Sequence, residues 1–289
     1  MRLKRIAMAP VRIGTYFLSP FLRLIGSIIY HFRARETPCS PVVFLIGPPR
    51  TGSTILYQAL TNFCDVSYID NLTCLFHRSL FFGSILSHVR FGNTEHNNFK
   101  SEHGATSQFG LHCPSECGEF WYRWFPRDPH FVEANSLAPR KTSALSTEIN
   151  RVVRFFGRPF VIKNLVCGQR LRVLAKIFPD AKVIVVERNT DEVVESILKA
   201  RKVRNIKEGT WWSVKPPGYR NYVGCPEVEL VQAQVRLISE IIQEDTALFK
   251  PENVRTVNYS DFDEDLIVEL AQWINARIKH TPSSEVFRR

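Results

Sequence analysis

The sequence predicts an α/β domain: a parallel sheet with helices on both faces, three layers in all. Two observations carry that prediction. Short, β-branched apolar runs (VVFLIG at 42–47, PFVIKN at 159–164, VIVVE at 183–187) are bounded by Gly, Pro or charged residues, as buried parallel strands are. Each run leads into a segment of helical periodicity, and strands alternating with helices argue for one parallel sheet.

In chain order, residues 1–40 form a basic, apolar segment that ends in the linker TPCSP, and 41–289 form the domain. The first strand turns at GPPRTG and a helix runs from Gly52 to about Phe63. From Asn71 to Asn150 the chain is rich in Phe, His, Ser and Asn and offers no strand. Helices and loops are expected there, over the carboxyl ends of the strands, where open α/β sheets bind ligands. PFVIKN is followed by a helix near Gln169 to Phe178, and VIVVE by NTDEVVESILKA, whose Asn189 and Glu192 have capping-box spacing. A Pro- and Gly-punctuated loop, TWWSVKPPGYRNYVG at 210–224, precedes a helix at 227–248, the strand VRTVNY and a last helix at about 262–279.

The net charge of +10 is concentrated: Arg2, Lys4, Arg5, Arg12, Arg23, Arg33 and Arg35 all precede the first acid, Glu36. A nucleic-acid binder places a basic stripe on a folded face, so nucleic acid is not an expected partner. A membrane surface or a small anionic ligand fits better. Pro20 and Arg23 interrupt the apolar stretch from Val11 to Phe32. We therefore read it first as a surface-lying amphipathic helix, then as packing onto the domain, and last as a span or signal anchor. Seven irregularly spaced cysteines point to free thiols in a reducing compartment. The expected location is cytoplasmic and peripheral at a membrane, with a luminal anchored form as the alternative. His112, Cys113 and Cys117 have no second ligand pair at zinc-site spacing, and no metal is expected.

GPPRTGST at 47–54 has the outline of a phosphate-binding loop, but Ser53 stands where a nucleotide triphosphatase has lysine. A strand that turns through glycine into a helix aims several backbone N–H groups at one anion. Arg50 adds charge ahead of the glycine, and Thr51, Ser53 and Thr54 add hydroxyls. A second anion site is read in VVERNTDEVVES, where Arg188 closes a strand and Ser196 lies eight residues on. Two such sites on one sheet edge suit a nucleotide phosphorylated on both its 5′ and 3′ sides.

These residues resemble the sulfotransferases that use 3′-phosphoadenosine 5′-phosphosulfate (PAPS). PPRTGST is similar to the family's 5′-phosphosulfate loop, P-[KR]-[ST]-G-[ST]-[ST], and RNTDEVVES to its 3′-phosphate motif, with Arg and Ser eight apart. The likeness runs from about 42 to 270, and the WWSVKPPG loop is like that of bacterial-type members. It implies a P-loop NTPase-like sulfotransferase fold and PAPS as donor, with Arg50, Thr51, Gly52, Ser53 and Thr54 on the phosphosulfate and Arg188 and Ser196 on the 3′-phosphate. It also implies an acceptor hydroxyl on a glycan, lipid or small molecule. Asn189 and Thr190 replace the usual Asp-Pro after the arginine, and the Lys-Thr-His segment that bears the catalytic histidine of the cytosolic enzymes is absent. The competing readings are a P-loop nucleotide kinase or triphosphatase, and a nucleotide-binding protein without catalysis.

Sulfuryl transfer needs charge neutralised on the leaving oxygen and a base for the acceptor hydroxyl. Lys163, at the end of VIKN, is a candidate for the sulfonate or bridging oxygen. For the base we expect Ser115 to cap a helix that puts Glu116 and Glu119 on one face beside Trp121, Trp124 and Phe125, where apolar neighbours would raise a carboxyl pKa. Compensation of the helix dipole would by itself explain acids there. Asp70 is the third carboxylate candidate, and His112 is read as structural or as an acceptor contact. Trp211, Trp212 and Tyr219 could form an aromatic lid.

Overall fold

The computed structural model describes residues 2–33, 40–96, 99–102, 104–283 and 286–287, and of 2–12 and Arg33 the backbone alone. The side chains of Arg2, Lys4, Arg5, Arg12, Arg33 and Arg35, and linker residues 37–39, lie outside the described residues.

The strands are β1 (Val42–Ile46), β2 (Ser67–Tyr68), β3 (Phe160–Lys163), β4 (Lys182–Glu187) and β5 (Val254–Asn258). They form one all-parallel sheet in the order β2-β3-β1-β4-β5. Of the four strands expected from sequence, β3, β1 and β4 are its centre and β5 is one edge. β2 was not foreseen, since two residues show no periodicity. The helices are α1 (Arg2–Arg33), α2 (Ser53–Phe63), α3 (Asn71–Leu75), α4 (Leu80–Phe91), α5 (Gly118–Trp121), α6 (Pro139–Phe156), α7 (Leu171–Ile177), α8 (Thr190–Val203), α9 (Glu227–Thr246) and α10 (Glu264–Trp273).

Side chains alternate through the sheet, as the period of two requires. Val43, Leu45, Val161, Ile184 and Val186 join one core with Leu56 and Leu60 of α2 and Ile267 and Leu270 of α10. Phe44, Ile46, Phe160, Ile162, Val183 and Val185 join the other with Leu145 and Ile149 of α6, Leu171 and Leu174 of α7, and Ile238 of α9. The three-layer α/β architecture is therefore as the sequence predicts. Because β1 has β3 on one side and β4 on the other, the chain reverses its direction of travel across the sheet here. Open α/β sheets bind ligands at such a point, here the carboxyl ends of β1, β3 and β4.

Two boundaries differ from expectation for local reasons. The last helix is shorter than 262–279: Asp263 Oδ1 accepts from the Leu266 amide at 2.8 Å and starts it late. Asn275, at φ 61°, then turns the chain so that Ile278 bridges to Cys64. After β3 a 3-10 turn, Leu165–Gln169, precedes α7.

At the N-terminus α1 runs straight through Pro20. Its inner face packs on α3, α4 and α6, with Ser19 and Gly26 buried. Ile13–Phe32 is the one segment among the described residues long and apolar enough, by length and composition, to cross a membrane.

Candidate functional site

The loop after β1 is shaped by close approaches. A Cβ on Gly47 would lie 2.5 Å from the Val186 carbonyl, so only glycine lets β1 leave the sheet beside β4 there. Gly52, at φ 93°, begins α2, and a Cβ on it would lie 2.3 Å from the Tyr259 ring. Thr51 Oγ1 donates to the Pro48 carbonyl at 3.0 Å and closes the turn. Arg50 is itself left-handed, at φ 71°. The Ile55 and Leu56 amides bond to Gly52 O at 3.0 and 3.2 Å, which leaves the amides ahead of them at the open end of the helix.

Arg50 Nε donates to Ser196 Oγ at 3.0 Å, tying the loop to α8. Ser196 thus meets Arg50, while Arg188 turns elsewhere. The Arg188 Nε donates to Glu192 Oε2 at 2.8 Å, and its guanidinium lies 4.5 Å from the centre of the Tyr259 ring. Asn189 Oδ1 caps α8 through the Asp191 and Glu192 amides, at 3.0 and 3.2 Å. With the Glu192 carboxylate taken by Arg188, only half of the expected capping box forms. Burial first, then the charges of Arg188 and Arg204, push the Arg50 pKa below its ordinary value. Three guanidiniums close enough to repel one another favour an anion.

The carboxylate candidates separate. Lys163, buried at the end of β3, donates to Thr54 Oγ1 at 2.9 Å and forms an ion pair with Glu116 Oε1. Glu116 Oε2 accepts from the Leu165 amide at 3.2 Å, and the Glu116 carbonyl accepts from Asn164 Nδ2 at 3.1 Å. Gly104 covers this cluster: a Cβ on it would lie 3.3 Å from Thr54 Oγ1 and 3.9 Å from both Glu116 Oε1 and Lys163 Nζ.

The shared helical face expected for Glu116 and Glu119 does not form. Ser115 Oγ accepts from the Cys117 amide at 3.2 Å, Cys117 is left-handed at φ 42°, and α5 starts only at Gly118. The left-handed residue rotates the chain between the two acids. Glu116 therefore meets a lysine and an amide in place of the tryptophans, and Glu119 turns to Cys74, whose Sγ is 4.0 Å from Oε2. Cys74, Cys117 and Glu119 bring one donor atom each within 4.8 Å of one another.

Asp70 caps α3. Its Oδ1 accepts from the Thr73 amide at 2.7 Å and its Oδ2 from Ser87 Oγ at 2.5 Å. Burial raises its pKa to about 6. His112 stacks 4.3 Å from Phe91, and burial, with Lys279, holds its pKa down near 4. Cys113 Sγ donates to Phe109 O at 2.9 Å, so His112, Cys113 and Cys117 face different neighbours.

In the 210–224 loop Trp211 packs 5.3 Å from Tyr219 and donates through Nε1 to Val214 O at 2.7 Å. The Trp212 ring lies 5.9 Å from the Arg204 guanidinium. The fully buried Arg201 anchors the loop, bonding Glu227 at 2.8 Å and Thr210 O at 3.0 Å. Sequence reasoning missed Arg201, Arg204, Gly104, Asn164 and Tyr259, all brought here by tertiary contacts. The one signal at hand was Tyr259, at the end of a foreseen strand.

Comparisons with known proteins agree with this architecture. A curated relative, "Omega-hydroxy-beta-dihydromenaquinone-9 sulfotransferase Stf3", from Mycobacterium bovis and from Mycobacterium tuberculosis, is 25% identical over 212 residues, covering 64% of this chain and 53% of the relative. The chain thus spans about half the length of the curated relatives it matches. Among solved structures, sulfotransferase STF1 of Mycobacterium tuberculosis aligns over 92% of this chain and 74% of its own, with a TM-score of 0.50 and 15% identity. Sulfotransferase STF9 of Mycobacterium avium aligns over 92% and 71%, with a TM-score of 0.50 and 12% identity. These likenesses support the fold. The family model described as "Sulfotransferase family" matches residues 41–275, and the chain belongs to that family.

Proposed function

We propose that the protein transfers a sulfuryl group from PAPS directly to an acceptor hydroxyl, with no metal ion and no covalent intermediate. The observation that carries this reading is the Arg50–Ser196 bond, which joins the loop after β1 and the Arg188–Ser196 segment into one anion-receiving surface. Arg50, Thr51, Gly52, Ser53 and Thr54 would hold the 5′-phosphosulfate, and Arg188 and Ser196 the 3′-phosphate. The fit is supported by the two glycine close approaches, the amides at the start of α2 and the gathering of Arg50, Arg188 and Arg204. PAPS supplies the sulfuryl group and a bisphosphate leaving group.

Lys163 neutralises charge at the transferring group, held by Thr54. Glu116 accepts the hydroxyl proton. It is favoured over Glu119 and Asp70 because it alone shares Lys163, beside the first turn of α2. As acceptor we propose a lipid hydroxyl, in preference to a glycan or small molecule, because the curated relative is named for a hydroxylated menaquinone. A cytoplasmic enzyme held at a membrane surface suits such an acceptor, and Cys64, Cys74, Cys113, Cys117, Cys167 and Cys225 as free thiols suit a reducing compartment.

Calorimetric titration with adenosine 3′,5′-bisphosphate and with ATP, each with and without magnesium, tests the donor. Tighter binding of the bisphosphate, indifferent to magnesium, is expected. Preference for magnesium-ATP would replace this reading with a kinase or triphosphatase. Labelled PAPS offered to ω-hydroxylated lipids, glycans and phenols tests the acceptor class.

A further inference from the structure

We infer that the outer face of α1 is a docking surface for an anionic lipid bilayer, and that the helix lies in the membrane plane instead of crossing it. Ile13, Phe17, Phe21, Leu24, Ile28 and Phe32 are exposed and recur at steps of 4, 4, 3, 4 and 4. That spacing puts them in one stripe along the helix. Phe17 and Phe32 are 75% and 81% exposed, values at which a large apolar side chain has no cover from its own domain. Isolated exposed apolar residues are ordinary, but six in register form a patch that calls for an occupant.

The opposite face is occupied by the domain. The Ser19 carbonyl accepts from Ser79 Oγ at 3.0 Å, Arg151 donates to Ser27 Oγ at 3.2 Å, and Tyr30 packs edge-on to Phe81 at 5.6 Å. A Cβ on Gly26 would already touch Phe81 at 3.3 Å. Arg23, in the middle of the apolar window, donates to the Arg78 carbonyl. A spanning helix would have to give up all of these contacts and bury Arg23 in hydrocarbon. A helix lying in the interface keeps them and covers the bare stripe as well.

Charge selects a lipid surface as occupant over a second copy of the chain. Residues 1–35 and 71–91, which include α1, α3 and α4, contain no Asp or Glu, while Arg2, Lys4, Arg5, Arg12, Arg23, Arg33, Arg35, Arg78 and Arg90 all fall within them. Two copies meeting through α1 would bring two basic, acid-free stretches of sequence together, whereas anionic headgroups complement such a stretch. The inference does not rest on the donor or on the chemistry of the site, so its failure would leave the sulfotransfer reading untouched.

The test is flotation of the full-length chain with vesicles of phosphatidylcholine alone or with phosphatidylserine added. Binding to the anionic vesicles, weakening as salt rises, is expected. With each buried apolar side chain contributing about tenfold or more, the triple variant Phe17→Ser, Phe21→Ser, Leu24→Ser should partition at least about a thousandfold less. Its thermal melt, followed by circular dichroism, checks folding. If it fails that check, Phe17→Ser alone should still lose roughly tenfold or more on the same basis. Equal binding to neutral and anionic vesicles, or unchanged partitioning of the variants, overturns the inference. So does a dimer that the variants abolish without any vesicle binding. Resistance of the bound wild-type protein to carbonate extraction would show a span and overturn the in-plane placement.

Discussion

The two sides of the proposed site are built differently. On the proposed donor side, the loop after β1 and the segment after β4 are short turns between a strand and a helix, and the candidate residues lie beside or within about two turns of the helix start. On the proposed acceptor side, Glu116 is held by partners 47, 48 and 49 positions away in sequence: Lys163, Asn164 and Leu165. Local construction leaves a pattern in the sequence. Assembly from distant parts leaves only residue types.

The sharpest way to break this contrast is to exchange the two neighbouring acids. Glu116→Gln should slow turnover by roughly a hundredfold or more while leaving bisphosphate affinity in place, and Glu119→Gln should stay near the wild-type rate. The reverse outcome would mean that the acceptor side is ordered by local helix geometry after all.

Asp70 gives the next largest effect. Burial raises its pKa from 3.8 to about 6, so between those values the folded chain holds a proton that the unfolded chain has released. The stability it contributes is full below pH 3.8 and is lost as the pH rises to about 6. Above that, burying the charge costs on the order of 3 kcal/mol. Asp70→Asn keeps an oxygen for the Thr73 amide and removes the ionisation. Urea unfolding should therefore show it more stable than wild type by up to about 3 kcal/mol at neutral pH, with the two converging near the unfolded pKa. A stability loss at neutral pH, or a collapse of turnover, would return Asp70 to the acceptor chemistry.

On the donor side, Arg188→Ala should weaken bisphosphate binding by about 1.5–3 kcal/mol, the worth of a hydrogen bond to a charged group, as read by calorimetry. Unchanged affinity would remove the 3′ side from the proposed surface. The smallest effect expected is for Asn189→Ala, which deletes the cap of α8 and should lower thermal stability by about 1 kcal/mol.

Much of the fold was legible because the central strands are hydrophobic on both faces and each is followed by a periodic helix. β2 escaped since it is two residues long, and the span from Asn71 to Asn150 could be described only as helices and loops because its order comes from packing. In the proposed site, Arg50 to Thr54, Arg188 and Ser196 were named from a loop motif, a spacing and a family resemblance taken together. That Ser196 bonds Arg50 and not Arg188 depends on how α8 lies against the loop, which no spacing reports. The paired placement of Glu116 and Glu119 failed at a single backbone angle, the left-handed Cys117.

Tyr259 stands under both halves of the proposed donor surface, with one edge against Gly52 and its face against Arg188. The ring works as a shared bearing: a side chain forced in at position 52 would displace it, and Arg188 would move with it. Mutations aimed at one proposed phosphate subsite will therefore be felt at the other, and neither can serve as the silent control for its neighbour.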